Sequence, residues 1–325
     1  MTAAFVGTYA GKGGAGLVPL VHDAQAGGWT AGPPIPSIRN ASFAVTSPSR
    51  GHRYLVDEAA GSVDVYAADW RPLAQVRSGG EAPCHLALAP DECHLAVANY
   101  ASGSVTLFPL DDAGLPRPGT TLAHHGRGPD PDRQRGPHAH WVGFTPAGAL
   151  LAVDLGTDRI VSRSLDRLDA PQTLYAAPPG SGPRHLALHP TLPVAYLVSE
   201  LAATLTVLRS EGAMFRAESV RAITVEETLG GAIALDAPRA RLYVTTRGGD
   251  CIVTYALDPH GTPTRIGHIS SIGRSPRHLL LLDNTLLVAN EESGHVTIFQ
   301  LDDGRRPHGD PVAMNVPGAA FLMTA

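Results

Sequence analysis

Lysine is almost missing from this chain: Lys12 is the single one among 25 basic side chains. Schiff-base chemistry therefore has one candidate, set in a glycine-rich loop, and any anion site is expected to be built from arginine. Cysteine is scarce as well. Cys84, Cys93 and Cys251 are odd in number, far apart and without a CxxC pair, which argues against a disulfide framework and against a cysteine zinc site. Free thiols in a reducing, cytoplasmic setting are expected. No apolar run approaches the ~20 residues of a membrane-spanning helix, and Met1-Thr2-Ala3-Ala4 lacks the basic and apolar regions of a secretory leader, so no membrane partner is expected. With a net charge of −5 and no basic tract denser than the scattered run from Arg127 to Arg135, a nucleic-acid footprint is missing too. Small-molecule partners are favoured.

Glycine (35) and proline (28) are plentiful, and a hydrophobic share of 43% with 17% charged residues is that of a globular chain rich in turns. The chain repeats itself. Six copies of a strand, a turn and two further strands begin at Asn40, Ala82, Gly136, Ser181, Gly230 and Ser275. Their turn prolines Pro48, Pro90, Pro146, Pro190 and Pro238 are separated by 42, 56, 44 and 48 residues, the period of four-stranded propeller blades. Turn sequences such as Asp111-Asp112-Ala113-Gly114 and Asp258-Pro259-His260-Gly261 lead into a fourth strand. Strands at Phe5–Tyr9 and Gly16–Leu20 can join one at Ala319–Met323 to make a seventh blade, removing an open sheet edge. The expectation is an all-β chain, one seven-bladed propeller domain over 1–325 closed by both chain ends. Gly11-Lys12-Gly13-Gly14-Ala15-Gly16 lacks the GxxxxGK[ST] pattern and reads as a hairpin loop between N-terminal strands.

Aligned on the residue opening the third strand, the copies place Glu58, Tyr100, Leu155, Glu200, Arg247 and Glu291 at one position. At the start of the first strand they place Ser42, Cys84, His140, Arg184 and Arg277, with His138 nearby. A periodic scaffold accounts for recurring Leu, Val and Pro. It does not require an acid in one blade and an arginine in the next, so these departures mark candidate functional positions. His85, His185 and His278 recur beside the first strand and read as repeat-level structural residues. Glu58 and Glu291 have a competing reading as solvated strand-end acids, and Arg247 one as a local partner of Asp250.

The pieces Gly136-Pro137-His138-Ala139-His140, Gly182-Pro183-Arg184-His185, Ser199-Glu200-Leu201, Thr246-Arg247-Gly248 and Val288-Ala289-Asn290 come in an order and spacing that resembles the lactonase family of seven-bladed propellers. That family includes the propeller form of 6-phosphogluconolactonase and the fungal carboxymuconate cyclases. The resemblance implies that His140, Arg184, Glu200 and Arg247 match the family's proposed active-site residues at one mouth of the channel. Two departures stand out. Gly231-Ala232-Ile233 lacks the acid usual before that Ile, and Val316-Pro317-Gly318-Ala319-Ala320-Phe321 differs from the usual ending.

Guanidinium groups suit the carboxylate or phosphate of a lactone and the oxyanion that grows as its carbonyl is attacked. Arg184, Arg247 and Arg277 are assigned there, with His138, Tyr100 and Glu58 as further substrate contacts. His140 is assigned as general base and then acid. Glu200 either orients His140 or takes the proton itself. The scheme calls for no metal and no cofactor. Arg184→Ala or Arg247→Ala is expected to lose activity on anionic lactones with little change in thermal midpoint. Two other readings remain: a carboxymuconate-type cycloisomerase using the same arginines on its carboxylates, and a non-enzymatic propeller scaffold.

Overall fold

The computed structural model describes residues 2–23, 25, 27–224 and 228–325. Its described strands form seven sheets of four, each with its strands in up-and-down order. The alternation and short apolar runs seen in the repeat explain why. In the strand Leu150–Asp154 all five residues are buried, whereas the outer strand Met214–Ala222 alternates exposed and half-buried positions along most of its length. Second and third strands are thus sandwiched, and fourth strands face solvent on one side.

The chain divides into two compact units. One comprises Ser42–Arg184 and Glu211–Phe215 and carries three sheets, which begin with the strands Ala44–Thr46, Pro83–Leu88 and Ala139–Phe144. The other comprises Met1–Ala41, His185–Ser210 and Arg216–Ala325. It holds the sheets that run on from Val194–Ser199, from Leu229–Asp236 and from Pro276–Leu282. It also holds a sheet in which the C-terminal strand Ala319–Thr324 pairs antiparallel with Thr2–Thr8, followed by Val18–Asp23 and Gly28–Ala31. The expected joining of both chain ends in one blade is therefore present. The glycine-rich segment before Val18 is a loop holding a single 3-10 turn, Ala10–Lys12.

Between sheets the packing is apolar. In the second of these units, Val198, Leu205, Val207, Val244 and Val253 form one cluster, while in the first unit Val56, Val63, Leu86, Leu95 and Val97 form another. Each such side chain contributes roughly 1.5–3 kcal/mol on burial.

A tyrosine on the second strand recurs in three repeats, and its hydroxyl does the same thing each time. Tyr54 donates to the Gly114 carbonyl at 2.7 Å, Tyr196 to Gly261 at 2.6 Å and Tyr243 to Arg305 at 2.6 Å. Each acceptor lies in the Asp-initiated turn of the following sheet, where the Asp111, Asp258 or Asp302 carboxylate accepts a backbone amide four residues on. The acceptor backbone is left-handed, with φ of 77°, 80° and 62°. Glycine supplies that conformation at 114 and 261. Arg305 adopts it with a side chain, which is anchored by Asp236 at 3.0 Å and by Asn284 at 2.7 Å.

Candidate active site

The repeat position singled out in the sequence falls at the end of each second strand. Glu200 follows Val194–Ser199 directly, Arg247 ends Arg241–Arg247, and Glu291 follows Thr285–Asn290. All three belong to the unit that contains both chain ends. Arg247 Nη2 lies 2.5 Å from Glu200 Oε2, and both side chains are largely buried. The turn around Glu200 is set by its own carbonyl, which accepts the amides of Ala203 and Gly230. Gly230 must be glycine for this approach, since a Cβ there would stand 2.3 Å from the Ser199 carbonyl oxygen.

Asp250 is not the partner of Arg247. Its carboxylate accepts the amides of Gly248 at 3.0 Å and Ser275 at 2.8 Å and so shapes the turn, leaving the guanidinium to Glu200. The Arg247 Nη2 contact is close without a well-aligned N–H, and Arg247 Nε is buried with no hydrogen-bond acceptor among the described residues. Donor capacity on this guanidinium is therefore unspent.

Glu291 differs from the solvated acid of the competing reading. Its side chain is 12% exposed, with Lys12 Nζ at 2.6 Å and Arg277 Nη1 at 3.4 Å. Burial opposes its ionisation, but Arg277, Lys12 and the charge of Arg247 outweigh it and hold the carboxyl below its ordinary value. The Arg277 guanidinium also lies 5.4 Å from the centre of the Tyr9 ring. Three cations and two carboxylates thus converge, and the lysine discounted in the sequence is one of them. Lys12 was missed because nothing local distinguishes a loop lysine, although Glu291 occupying the repeat position of Glu200 was a usable signal. Beside this cluster lies a cavity of about 480 Å³ lined by Lys12, Arg274, Glu291, Glu292 and Asn315. The atypical closing segment contributes Pro317 and Gly318 to its wall. Ala232, the other departure, is 2% exposed and packs among Tyr243, Ile252 and Val288, with its amide donating to Thr245 Oγ1 at 2.7 Å.

The other unit gathers the aromatic candidates. Tyr100, just after the strand His94–Asn99, stacks on His138 with ring centres 4.6 Å apart and meets His140 edge-on at 5.3 Å. His138 is fixed further by its Nδ1 at 2.9 Å from the Tyr100 carbonyl and by its amide, which donates to Asp154. Arg133, not a sequence candidate, donates to the Tyr100 hydroxyl at 3.2 Å. His140 is 6% and Arg184 1% exposed, so both are interior side chains. Glu58 is half-buried and lines a different cavity, with Arg77 and Glu81. His85 accepts the Val142 amide and packs 3.8 Å from Phe43, and His278 packs on Phe321 at 4.6 Å, in keeping with structural roles.

Residues 3–313 match the family model described as "Lactonase, 7-bladed beta-propeller". The chain belongs to this lactonase family. Its seven four-stranded sheets are the blades of that fold. This lactonase-family chain is 28% identical over 317 residues to a 6-phosphogluconolactonase of Bacillus subtilis, covering 92% of this chain and 90% of the relative. Among solved structures, it is similar to a putative 6-phosphogluconolactonase from Bacteroides fragilis, with 27% identity, a TM-score of 0.87, and coverage of 100% of this chain and 98% of that one. It is also similar to a periplasmic gluconolactonase of Pseudomonas aeruginosa, with 25% identity, a TM-score of 0.90, and coverage of 99% and 98%. No helix among the described residues is long and apolar enough to cross a membrane.

Proposed function

We propose that this protein is a cytoplasmic, metal-independent lactonase that hydrolyses a sugar lactone resembling 6-phosphogluconolactone. The observation that carries the reading is the buried Arg247 guanidinium, charged, held by Glu200 and still possessing N–H donors without acceptors. A neutral carbonyl oxygen gains negative charge as water adds, and a cation fixed beforehand stabilises that charge without reorganising. Arg277 and Lys12, gathered at Glu291, supply positive charge suited to the phosphate or carboxylate of an anionic substrate. The names of the relatives support the substrate class.

The remaining roles follow from repeat position and family resemblance. His140 takes a proton from the attacking water and returns it to the leaving ring oxygen, Arg184 assists with charge, and His138, Tyr100 and Glu58 contact substrate. Glu200 holds Arg247, and that engagement favours His140 as the base.

The test follows proton release from freshly prepared 6-phosphogluconolactone, neutral gluconolactone and a muconolactone, with spontaneous opening subtracted, in the presence and absence of a chelator. Chelator-resistant turnover that favours the phosphorylated lactone and is lost in Arg247→Ala is expected. Turnover of muconolactone alone would replace the proposal by the cycloisomerase reading, and inactivity of the folded protein on all three would leave a binding scaffold.

A further inference from the structure

A second group of charged side chains includes none of the residues assigned above. In the unit made of Ser42–Arg184 and Glu211–Phe215, a cleft of about 190 Å³ is lined by His124, Thr157, Arg159, Arg163 and Thr173, among others, and by no carboxylate. Arg159 and Arg163 stand four apart on the strand Arg159–Ser164, hence on one face, and Thr173 pairs with the intervening Val161. His124 reaches the cleft from just beyond the strand Thr120–Ala123.

The wiring behind the cleft is explicit. Asp154, fully buried, takes His124 Nδ1 at 2.7 Å, and His124 Nε2 lies 3.4 Å from Arg163 Nη1. Because a guanidinium can only donate, Nε2 is the acceptor on the Arg163 side and Nδ1 faces the Asp154 carboxylate. Asp154 also accepts the amides of His138 and Thr157, which ties it to the scaffold. Arg163 is 6% exposed, donates Nε to the Leu168 carbonyl at 3.1 Å, and has no carboxylate partner among the described residues; nor has Arg159. Burial alone holds the Arg163 guanidinium below its ordinary value, with no anion offsetting it. A desolvated cation beside a second, unpaired cation, with threonines opposite and space between, has the composition of an oxyanion pocket.

We propose that this cleft is an anion-binding site for a phosphate dianion, free or as a phosphomonoester, held by Arg163 and Arg159 with Thr157 and Thr173 at its sides. Ligand binding there supplies the negative charge that Arg163 lacks.

The test uses the full chain with 13C-labelled threonine methyl groups, titrated with inorganic phosphate and separately with glycerol phosphate at constant ionic strength, with chloride as the control. Saturable shifts of the Thr157 and Thr173 methyls are expected, weakened roughly tenfold in Arg159→Gln and abolished in Arg163→Met. Arg159 is exposed, so its variant keeps the test valid if Arg163→Met does not fold. A response to glycerol phosphate as well as to phosphate assigns the site to monoesters, and a response to phosphate alone assigns it to the free ion. Methyls that stay unmoved in the folded protein, move equally with chloride, or move undiminished in Arg159→Gln would overturn the proposal and leave Arg163, His124 and Asp154 as a structural relay.

Discussion

Arg247 is paired with Glu200 rather than with the nearer-in-sequence Asp250, at 2.5 Å between Nη2 and Oε2. Both members come from the ends of second strands in successive sheets, so the pair ties two blades of one unit together while presenting a guanidinium edge. One interaction thereby serves the scaffold and, in the proposed function, the site as well.

That double use changes what Arg247→Ala does. Removing one partner of a buried pair leaves the other charge uncompensated, at a cost of about 3–5 kcal/mol. Sequence position alone implies little change in midpoint; the pair predicts a clear drop in thermal midpoint together with a loss of kcat of about 100-fold or more. In Arg247→Ala combined with Glu200→Gln the midpoint recovers substantially while activity does not. Calorimetry and lactone kinetics on the two variants check this, and a double variant as unstable as the single one would contradict it.

Glu291 makes an acid-side prediction. Its carboxyl is held below the ordinary 4.5, so the unfolded chain binds the proton more readily than the folded one. The resulting stability is complete above that value and is lost as pH falls through the folded-state value. Glu291→Gln therefore flattens part of the decline in stability below about pH 4.5, measured by denaturant midpoints across the acid range.

The tyrosine clasps are testable one by one. Tyr196→Phe and Tyr243→Phe each lose one hydrogen bond to a turn carbonyl, at roughly 1 kcal/mol apiece. Burial pushes both phenols, and that of Tyr54, up to about 12. The folded-state value is raised, so this stabilisation is whole below the ordinary 10 and fades as pH climbs through about 12. Ultraviolet titration should show a late phase near that pH, diminished in each Phe variant.

Thiol reactivity should sort by burial. Cys93 is exposed, whereas Cys84 and Cys251 are buried, and none of the three is in a disulfide. A disulfide reagent is expected to modify Cys93 quickly in the native protein and the other two only after denaturation. Rapid modification of three thiols in the folded state would contradict the packing around Cys84 and Cys251.

The repeat was legible because blades are built from local strands and turns: a period-2 pattern, an anchoring proline and an Asp-Gly turn are written within about 45 residues. The same register identified Glu200, Arg247 and Glu291 as one structural position, and the matching of both chain ends in a sheet followed from leftover strands at each terminus. Partner choice was not legible. Whether Arg247 takes Asp250 or Glu200, whether Glu291 is solvated or gripped by Lys12 and Arg277, and whether Arg163 meets a carboxylate are decided by side chains that lie far apart in sequence or on different strands. Periodicity specifies which face of a strand a residue occupies, whereas Coulomb attraction and desolvation act at a few ångströms through space. The amino-acid sequence by itself therefore determined the blades and the positions at their strand ends; the tertiary structure decided which charges meet there.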